Sequence, residues 1–389
     1  MPGLTSMDSL IAAIAAGQFY RDDWNKNYLP TTLATAGTWS SFMRAAGNPP
    51  APTIYGAGTN LALQTTFDST SGGSGMPHGG SVAPAYKSLL NASAYSAAAT
   101  SVPGVLMLID VVGFYNVTTV TTTGNQALSS PFTAFSTFTT NYTSNNILTF
   151  NQTPNTGLNL KNLSTVQVSS SGTLPTGLSA STNYYVITLS DTTIELASSY
   201  ANAQSATPIT LSSNGSGTLT LNTIYPRYTD GAGLQAFIYV NTATAMGAAT
   251  PNINIQYTNT IGSTGQTTPT VLPVGTSAAY DGNIVYSGTG VGKYGPFLPL
   301  VAGDKGIASA TGFNLASTYT SGQLALVICK PLLTLPMTTI GVAGERDLLN
   351  QVPSLPRIYD GANLQWLLYN GVATPINTSY FGHFDVVWN

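Results

Sequence analysis

Side chains able to move protons, attack carbonyls or hold metals are scarce in this 389-residue chain. It has two histidines (His78 and His383), two glutamates (Glu195 and Glu345), one cysteine (Cys329) and 14 acidic residues in all. A Ser-His-Asp system is not barred by composition, but no Gly-x-Ser-x-Gly elbow presents a nucleophile. His78 stands in the glycine-rich stretch Thr70 to Gly80 with no second His or Cys nearby, so it reads as a solvated loop residue and not as a ligand. Paired carboxylates for glycoside chemistry can be drawn among any fourteen scattered acids and carry no weight here. Gly344-Glu-Arg-Asp347 reads as a solvated turn or a subunit contact. Cys329 closes the apolar run Leu324 to Cys329, the setting of a buried thiol, and a lone cysteine excludes an intramolecular disulfide. No phosphate-cradling glycine loop is present. The expectation is a chain with no catalytic, cofactor or metal site, and not an enzyme.

Composition narrows the classes further. Only 6% of residues are charged, against about 25% in an ordinary soluble domain, while the hydrophobic fraction, 43%, is normal. Thr, Ser, Asn and Gly fill the difference. Eleven Lys and Arg are scattered over the whole length, so no basic face for nucleic acid is expected. No apolar run reaches the ~18 residues of a membrane span. The longest, Val105 to Phe114 and Leu324 to Leu333, contain Asp110 and Lys330, so no membrane partner is expected. The start is Ala-rich without a basic residue before Arg21, which makes a poor secretory signal. A chain so poor in charge must stay soluble through hydroxyls and amides, or be buried in a larger assembly.

The elements that would position any site are mostly strands. One helix is predicted over Met7 to Ala16, capped by Ser6 and ended by Gly17. It could pack on its own domain or reach a neighbouring subunit as an arm, and both readings stay open. Arg21, Asp22, Asp23 and Lys26 follow, with Asp22-Asp23-Trp24-Asn25 reading as a turn; Trp24 and Arg21 are candidate subunit contacts. From about Thr53 onward short β-rich runs appear, among them Val105–Ile109, Phe237–Tyr239, Val271–Val274, Leu324–Ile328 and Phe384–Trp388, punctuated by 39 Gly and 23 Pro.

An internal repeat organises them. Residues 225–240 read YPRYTDGAGLQAFIYV and residues 355–370 read LPRIYDGANLQWLLYN; the offset of 130 continues to the C-terminus with 11 identities in 35 positions. The recurring charged pairs, Arg227 with Asp230 and Arg357 with Asp360, precede Gly231 and Gly361. They suit a turn in which Asp accepts backbone N–H groups, Gly takes a positive φ and Arg closes on Asp. A weaker match lays Gly104 on Gly322, an offset of 218. The first copy then carries a surplus that coincides with residues 146–221, where strands Asn183–Leu189 and Thr193–Ala197 flank a Ser190-Asp191 turn.

That surplus, containing GTLPTGLSASTNYYVITLSDTTIELASSYANA, resembles a β-module widespread in tailed-bacteriophage virion proteins. The opening SMDSLIAAIAAGQFYRDDWNK and the stretches PLVAGDKGIASATGFNLASTYTSGQLALVICKPL and LPRIYDGANLQWLLY are similar to phage head-associated structural proteins. The resemblance covers about half the chain and implies a virion component without chemistry. The fold expected is all-β: two related jelly-roll-like β-sandwich domains (51–145 plus 222–262, and 263–389), an inserted β-module (146–221) and an N-terminal helix and arm (1–50). The resemblance does not fix which component; almost no charge, no long amphipathic helix and two large copies narrow the role to a capsid decoration or cement protein on the virion surface, with copies of itself (a trimer first) and the major capsid protein as partners. The alternative is a tail or head-fibre adaptor contacting the host surface, with a host glycan as a ligand for the inserted module. A carbohydrate-active enzyme is the third class.

Overall fold

Two 14-residue strands, buried on both faces, form the spine of the protein in this computed structural model. It describes residues 4, 6–30, 36–51, 65–66, 75–82, 85–97, 103–117, 123–128, 132–143, 146–151, 160–242, 246, 251–270, 281–285, 295–339, 341–351 and 354–389. The run Val271–Val274 lies outside them. In chain order, α1 (Met7–Ala15), β1 (Phe19–Asn27), β2 (Thr38–Ser41), β3 (Gly47–Asn48) and β4 (Thr65–Thr66) precede an arch of two consecutive strands that enter different sheets, β5 (Lys87–Ser96) and β6 (Gly104–Val117), then β7 (Gly124–Ala127). Next come β8 (Thr133–Thr140), β9 (Leu148–Phe150), β10 (Thr165–Ser170), β11 (Tyr184–Thr188), β12 (Thr193–Ala197), α2 (Tyr200–Gln204) and β13 (Leu219–Thr223). The chain returns through β14 (Gln235–Val240), β15 (Ile253–Asn259) and β16 (Gln266–Thr267) to a second such arch, β17 (Ile307–Leu315) and β18 (Leu324–Met337). It finishes with β19 (Gly344–Asp347), α3 (Leu348–Gln351), β20 (Arg357–Ile358), β21 (Leu364–Asn370) and β22 (Ser379–Trp388). The all-β class is what the sequence predicts.

The central sheet runs β14-β18-β6-β21-β2. One of its faces carries two smaller sheets side by side, β19-β5-β22-β1-β3 and β16-β15-β17-β7. Alternation along the spine divides the core: Leu106, Leu108, Leu326 and Ile328 join the large cluster beneath both small sheets. Met107, Ile109, Val327 and Cys329 join a second cluster on the opposite face. Cys329 is therefore the buried thiol expected, its pKa raised by desolvation.

The registers reveal the symmetry. In the β6–β18 pair Gly104 faces Met337 and Val117 faces Leu324, so exchanging the strands maps 104 onto 324 and 117 onto 337. The ladder skips Val112 on one strand and Leu332 on the other, again 220 apart. Gln235 pairs with Cys329 in β14–β18 and Gln365 with Ile109 in β21–β6, the same relation shifted by 130 and 220. The offset between the two arches is thus 220, and the 218 of the sequence match is corrected: two residues of slack between glycines hid the register. The strands of the two copies are not segregated into separate sandwiches. The repeat strands of each copy pair with the arch strands of the other, β14 with β18, β15 with β17, β21 with β6 and β22 with β5. Leu234 and Ala236, like Leu364 and Trp366, share one core.

The inserted module is a closed barrel, β10-β11-β12-β9-β8-β13, with its own apolar interior of Phe138, Phe150, Val166, Val186, Leu196 and Leu221. It begins at Thr133, not at 146, because β8 pairs with β13 and closes the cylinder. Its ends meet, Thr133 facing Thr223. Removing 133–223 and joining the ends with a short Gly-Ser link should therefore leave one cooperative thermal transition in the body. Removing only 146–221 should strand the apolar side chain of Phe138 and cause aggregation. Circular dichroism melts of the two deletions check this, and loss of cooperativity in the first would count against an autonomous module.

Candidate functional site

Asp110 is the one acid within β6 and is fully buried. Its register partner is Lys330, the single pair that the pseudo-twofold exchange maps onto itself. Arg227 supplies the countercharge: Nε donates to Asp110 Oδ2 at 2.6 Å, Nη2 donates to Oδ1, and Nη2 also donates to the Val111 carbonyl at 2.6 Å. The Asn363 N–H donates to Asp110 Oδ1 at 2.9 Å. The expected closure of Arg227 on Asp230 is corrected: a guanidinium this deep pairs with the buried Asp110 carboxylate. Asp230 keeps the turn role, accepting from the Ala232 N–H at 3.1 Å. Gly231 has φ +74°, and a Cβ there would lie 2.5 Å from Ala308 Cα.

The second copy solves the same turn differently. Position 330 holds Lys where position 110 holds Asp. The Arg357 guanidinium lies 4.0 Å and 4.3 Å from the ring centroids of Tyr86 and Tyr359. Asp360 pairs with Lys87 Nζ at 3.1 Å and accepts from Ser81 Oγ and the Val82 N–H. Gly361, unlike Gly231, is not left-handed. Lys330 Nζ donates to the Ala232 carbonyl at 3.0 Å, across the point where a Cβ on Gly233 would fall. These are structural centres in both copies.

Trp24 is not a surface anchor. Residues 22–25 lie in strand β1, paired with β22 throughout, and not in a turn. Pleating sends Asp22, Trp24 and Lys26 inward, and Trp24, 2% exposed, sits 5.2 Å from Trp366. Arg21 faces outward, its side chain 48% exposed, and makes a two-pronged contact with Asp385 at 2.7 and 2.8 Å. Beside it Ser93 Oγ lies 2.9 Å from His383 Nδ1. Asp23 is the register partner of His383, but no hydrogen bond joins them. The pair lies mid-sheet, where backbone N–H groups serve the ladder, so no oxyanion donors converge on it. Gly344–Asp347 is likewise strand β19 against β5, not a turn.

His78 is buried, correcting the solvated-loop expectation. Its Nε2 lies 3.1 Å from the Ala362 carbonyl and Nδ1 lies 2.9 Å from Lys87 Nζ. Burial, then the Lys87 charge, lower its pKa to about 4. Asp22, also buried and with Oδ2 unpartnered, is raised to about 7 by desolvation and by Asp23. These groups pull in opposite directions. Between pH ~6.5 and ~4 the unfolded chain binds the His78 proton and the folded one does not, so stability falls on acidification. Between about 4 and 7 the folded chain holds the Asp22 proton, so stability falls as pH rises. Each contribution is on the order of 3 kcal/mol. Asp22→Asn should melt higher than the parent at pH 7.5 and lose stability steeply from pH 6.5 to 4. His78→Gln should gain stability over the same descent. Identical pH–Tm profiles for both variants would refute the assignment.

On the surface, α1 buries Leu10 and Ala13 against Val387. It turns Met7 (52% exposed), Ile11 (59%) and Ile14 (44%) outward along one face. Among the described residues no group of three or more His, Cys, Asp or Glu is placed to hold a metal, and no helix is long and apolar enough to cross a membrane. Sequence reading missed the roles of Asp110, Lys330 and Lys87. The signal for the first two was present, since each is the charge that interrupts one of the two longest apolar runs. Fold and site define an all-β protein with fixed internal charges and a charge-poor, partly apolar exterior. No protein-family model, curated protein or solved structure matches the chain.

Proposed function

We propose that this chain is a non-catalytic structural subunit of a tailed-bacteriophage particle, a decoration or cement protein binding the capsid surface and copies of itself. The observation that carries the reading is the outward stripe Met7, Ile11 and Ile14 on α1, an apolar face docked on a body with only 11 basic and 14 acidic residues. Such faces suit lasting contacts, whose interiors are depleted of charge. The likeness of the barrel segment and of the chain's opening to phage virion proteins supplies the kind of particle. A trimer is the first expectation for the assembly, and the major capsid protein the second partner. The adaptor reading, a tail or head-fibre protein touching the host surface, draws support from the barrel, a self-contained module with its own core.

The test is the mass of the purified protein by light scattering across a salt series. An oligomer should persist in about 1 M salt, where the Debye length is only ~3 Å. Ile11→Asp should dissociate it without changing its melting temperature. A parent that stays monomeric and does not bind heads lacking it would overturn the reading.

A further inference from the structure

A cleft of about 660 Å³ opens between the barrel and the sheet β16-β15-β17-β7, within the range of ligand pockets, roughly 300–1,000 Å³. Its barrel wall includes Gln167, Asn183 and Tyr185; the facing wall includes Thr258, Ser309 and Thr311. The walls are held together: Thr229 Oγ1 accepts from the Lys161 N–H at 3.0 Å and shares a 2.7 Å hydrogen bond with Ser164 Oγ. None of the described lining residues is charged. Gln167 Nε2 donates to Asn183 Oδ1 at 2.9 Å, which leaves an amide oxygen and an amide N–H₂ side by side as an acceptor–donor pair. Thr258 and Ser309 are only 9% and 8% exposed, yet their hydroxyls make no hydrogen bond with the described residues. Tyr185 is braced edge-on by Tyr200 at 6.0 Å between centroids.

We infer that this cleft binds a neutral saccharide. The chemistry matches on each count. Uncharged hydroxyls and paired amides satisfy vicinal sugar hydroxyls, which both donate and accept. A half-buried tyrosine ring offers an apolar face for the C–H side of a pyranose while its hydroxyl stays wet. An anionic ligand would bring a charge into a cleft with no countercharge, which is costly. The Thr258 and Ser309 hydroxyls, on the cleft wall and without hydrogen-bond partners among the described residues, are groups a bound ligand would engage. This inference does not depend on the assembly role, and a monomer outside any particle could still bind sugar here.

The experiment is saturation-transfer NMR on the full chain. Its probes are neutral trisaccharides of glucose, galactose, rhamnose and N-acetylglucosamine, with uronic- and sialic-acid oligosaccharides as the anionic arm. At least one neutral probe should bind and the anionic arm should not. Asn183→Ala and Thr264→Arg, both at exposed positions of the cleft, should each weaken binding at least tenfold without shifting the melting temperature. The corresponding unlinked monosaccharide, run in parallel, separates a site for a free sugar from one for a polymer segment. Silence from every neutral probe, binding confined to anionic probes, or binding untouched by both variants would each overturn the assignment.

Discussion

Arg227→Ala should lower the stability of the protein by about 3–5 kcal/mol, the usual result of leaving a buried charge without its partner. Asp110 lies in the centre of the central sheet and is fully buried, so its carboxylate has no water to turn to. Loss of the guanidinium also takes a donor from the Val111 carbonyl, while the Asn363 N–H continues to serve Asp110. Arg227→Lys should recover little, because an ammonium cannot reproduce the two-pronged contact and reach the carbonyl too. The informative comparison is the double variant Asp110→Leu with Arg227→Met. Removing both charges together should cost less than either single change, since well-packed apolar residues often replace a buried ion pair without penalty. Urea denaturation of the parent, Asp110→Leu, Arg227→Met and the double variant gives the coupling energy directly. A loss below about 1 kcal/mol for Arg227→Ala would mean that the pair is not buried as described.

The repeat was legible because Pro-Arg-x-x-Asp-Gly-Ala-x-Leu-Gln cannot arise from a Thr- and Asn-rich background by chance. Its consequence for topology was not. Sequence identity relates Leu234 to Leu364, but which spine strand each repeat strand joins depends on pairing across the chain, and there the two copies exchange partners. The same limit hid the role of Arg227: its partner Asp110 lies 117 residues away in sequence. The barrel segment was readable in its centre, where Tyr184–Thr188 and Thr193–Ala197 alternate as a hairpin. Its first strand was not, because Thr133–Thr140 pairs with Leu219–Thr223, and only closure of the cylinder ties them together. His78 was misread for a local reason. Flanking glycines suggest solvent, yet here they let the backbone pass close to Tyr20, and the imidazole turns inward to Lys87.

Trp24→Ala should cost about 3–5 kcal/mol, as for other large-to-small changes of buried aromatic residues. Its effect should fall on the fold and not on assembly. The indole lies against Trp366 in the main core, and the chain has made room for it: a Cβ on Gly382 would stand 2.7 Å from the Trp24 ring. In the first copy the two-residue β16 lies beside β15, where the second copy has β1 beside β22, and the equivalent of Trp366 is Ala236, so the paired indoles belong to the second copy alone. Among the described residues neither Trp24 Nε1 nor Trp366 Nε1 has a hydrogen-bond partner. Trp24→Phe therefore loses volume but no polar contact, and should cost less than half as much as the alanine change. Gly382→Ala should reproduce part of the loss by pushing the ring out of place. Thermal melts and light scattering on the same samples separate the two roles. Trp24→Ala should melt far lower while its folded fraction keeps the parent's mass, whereas Ile11→Asp should do the reverse. A Trp24→Ala protein that melts like the parent but falls apart into monomers would show the indole working between subunits.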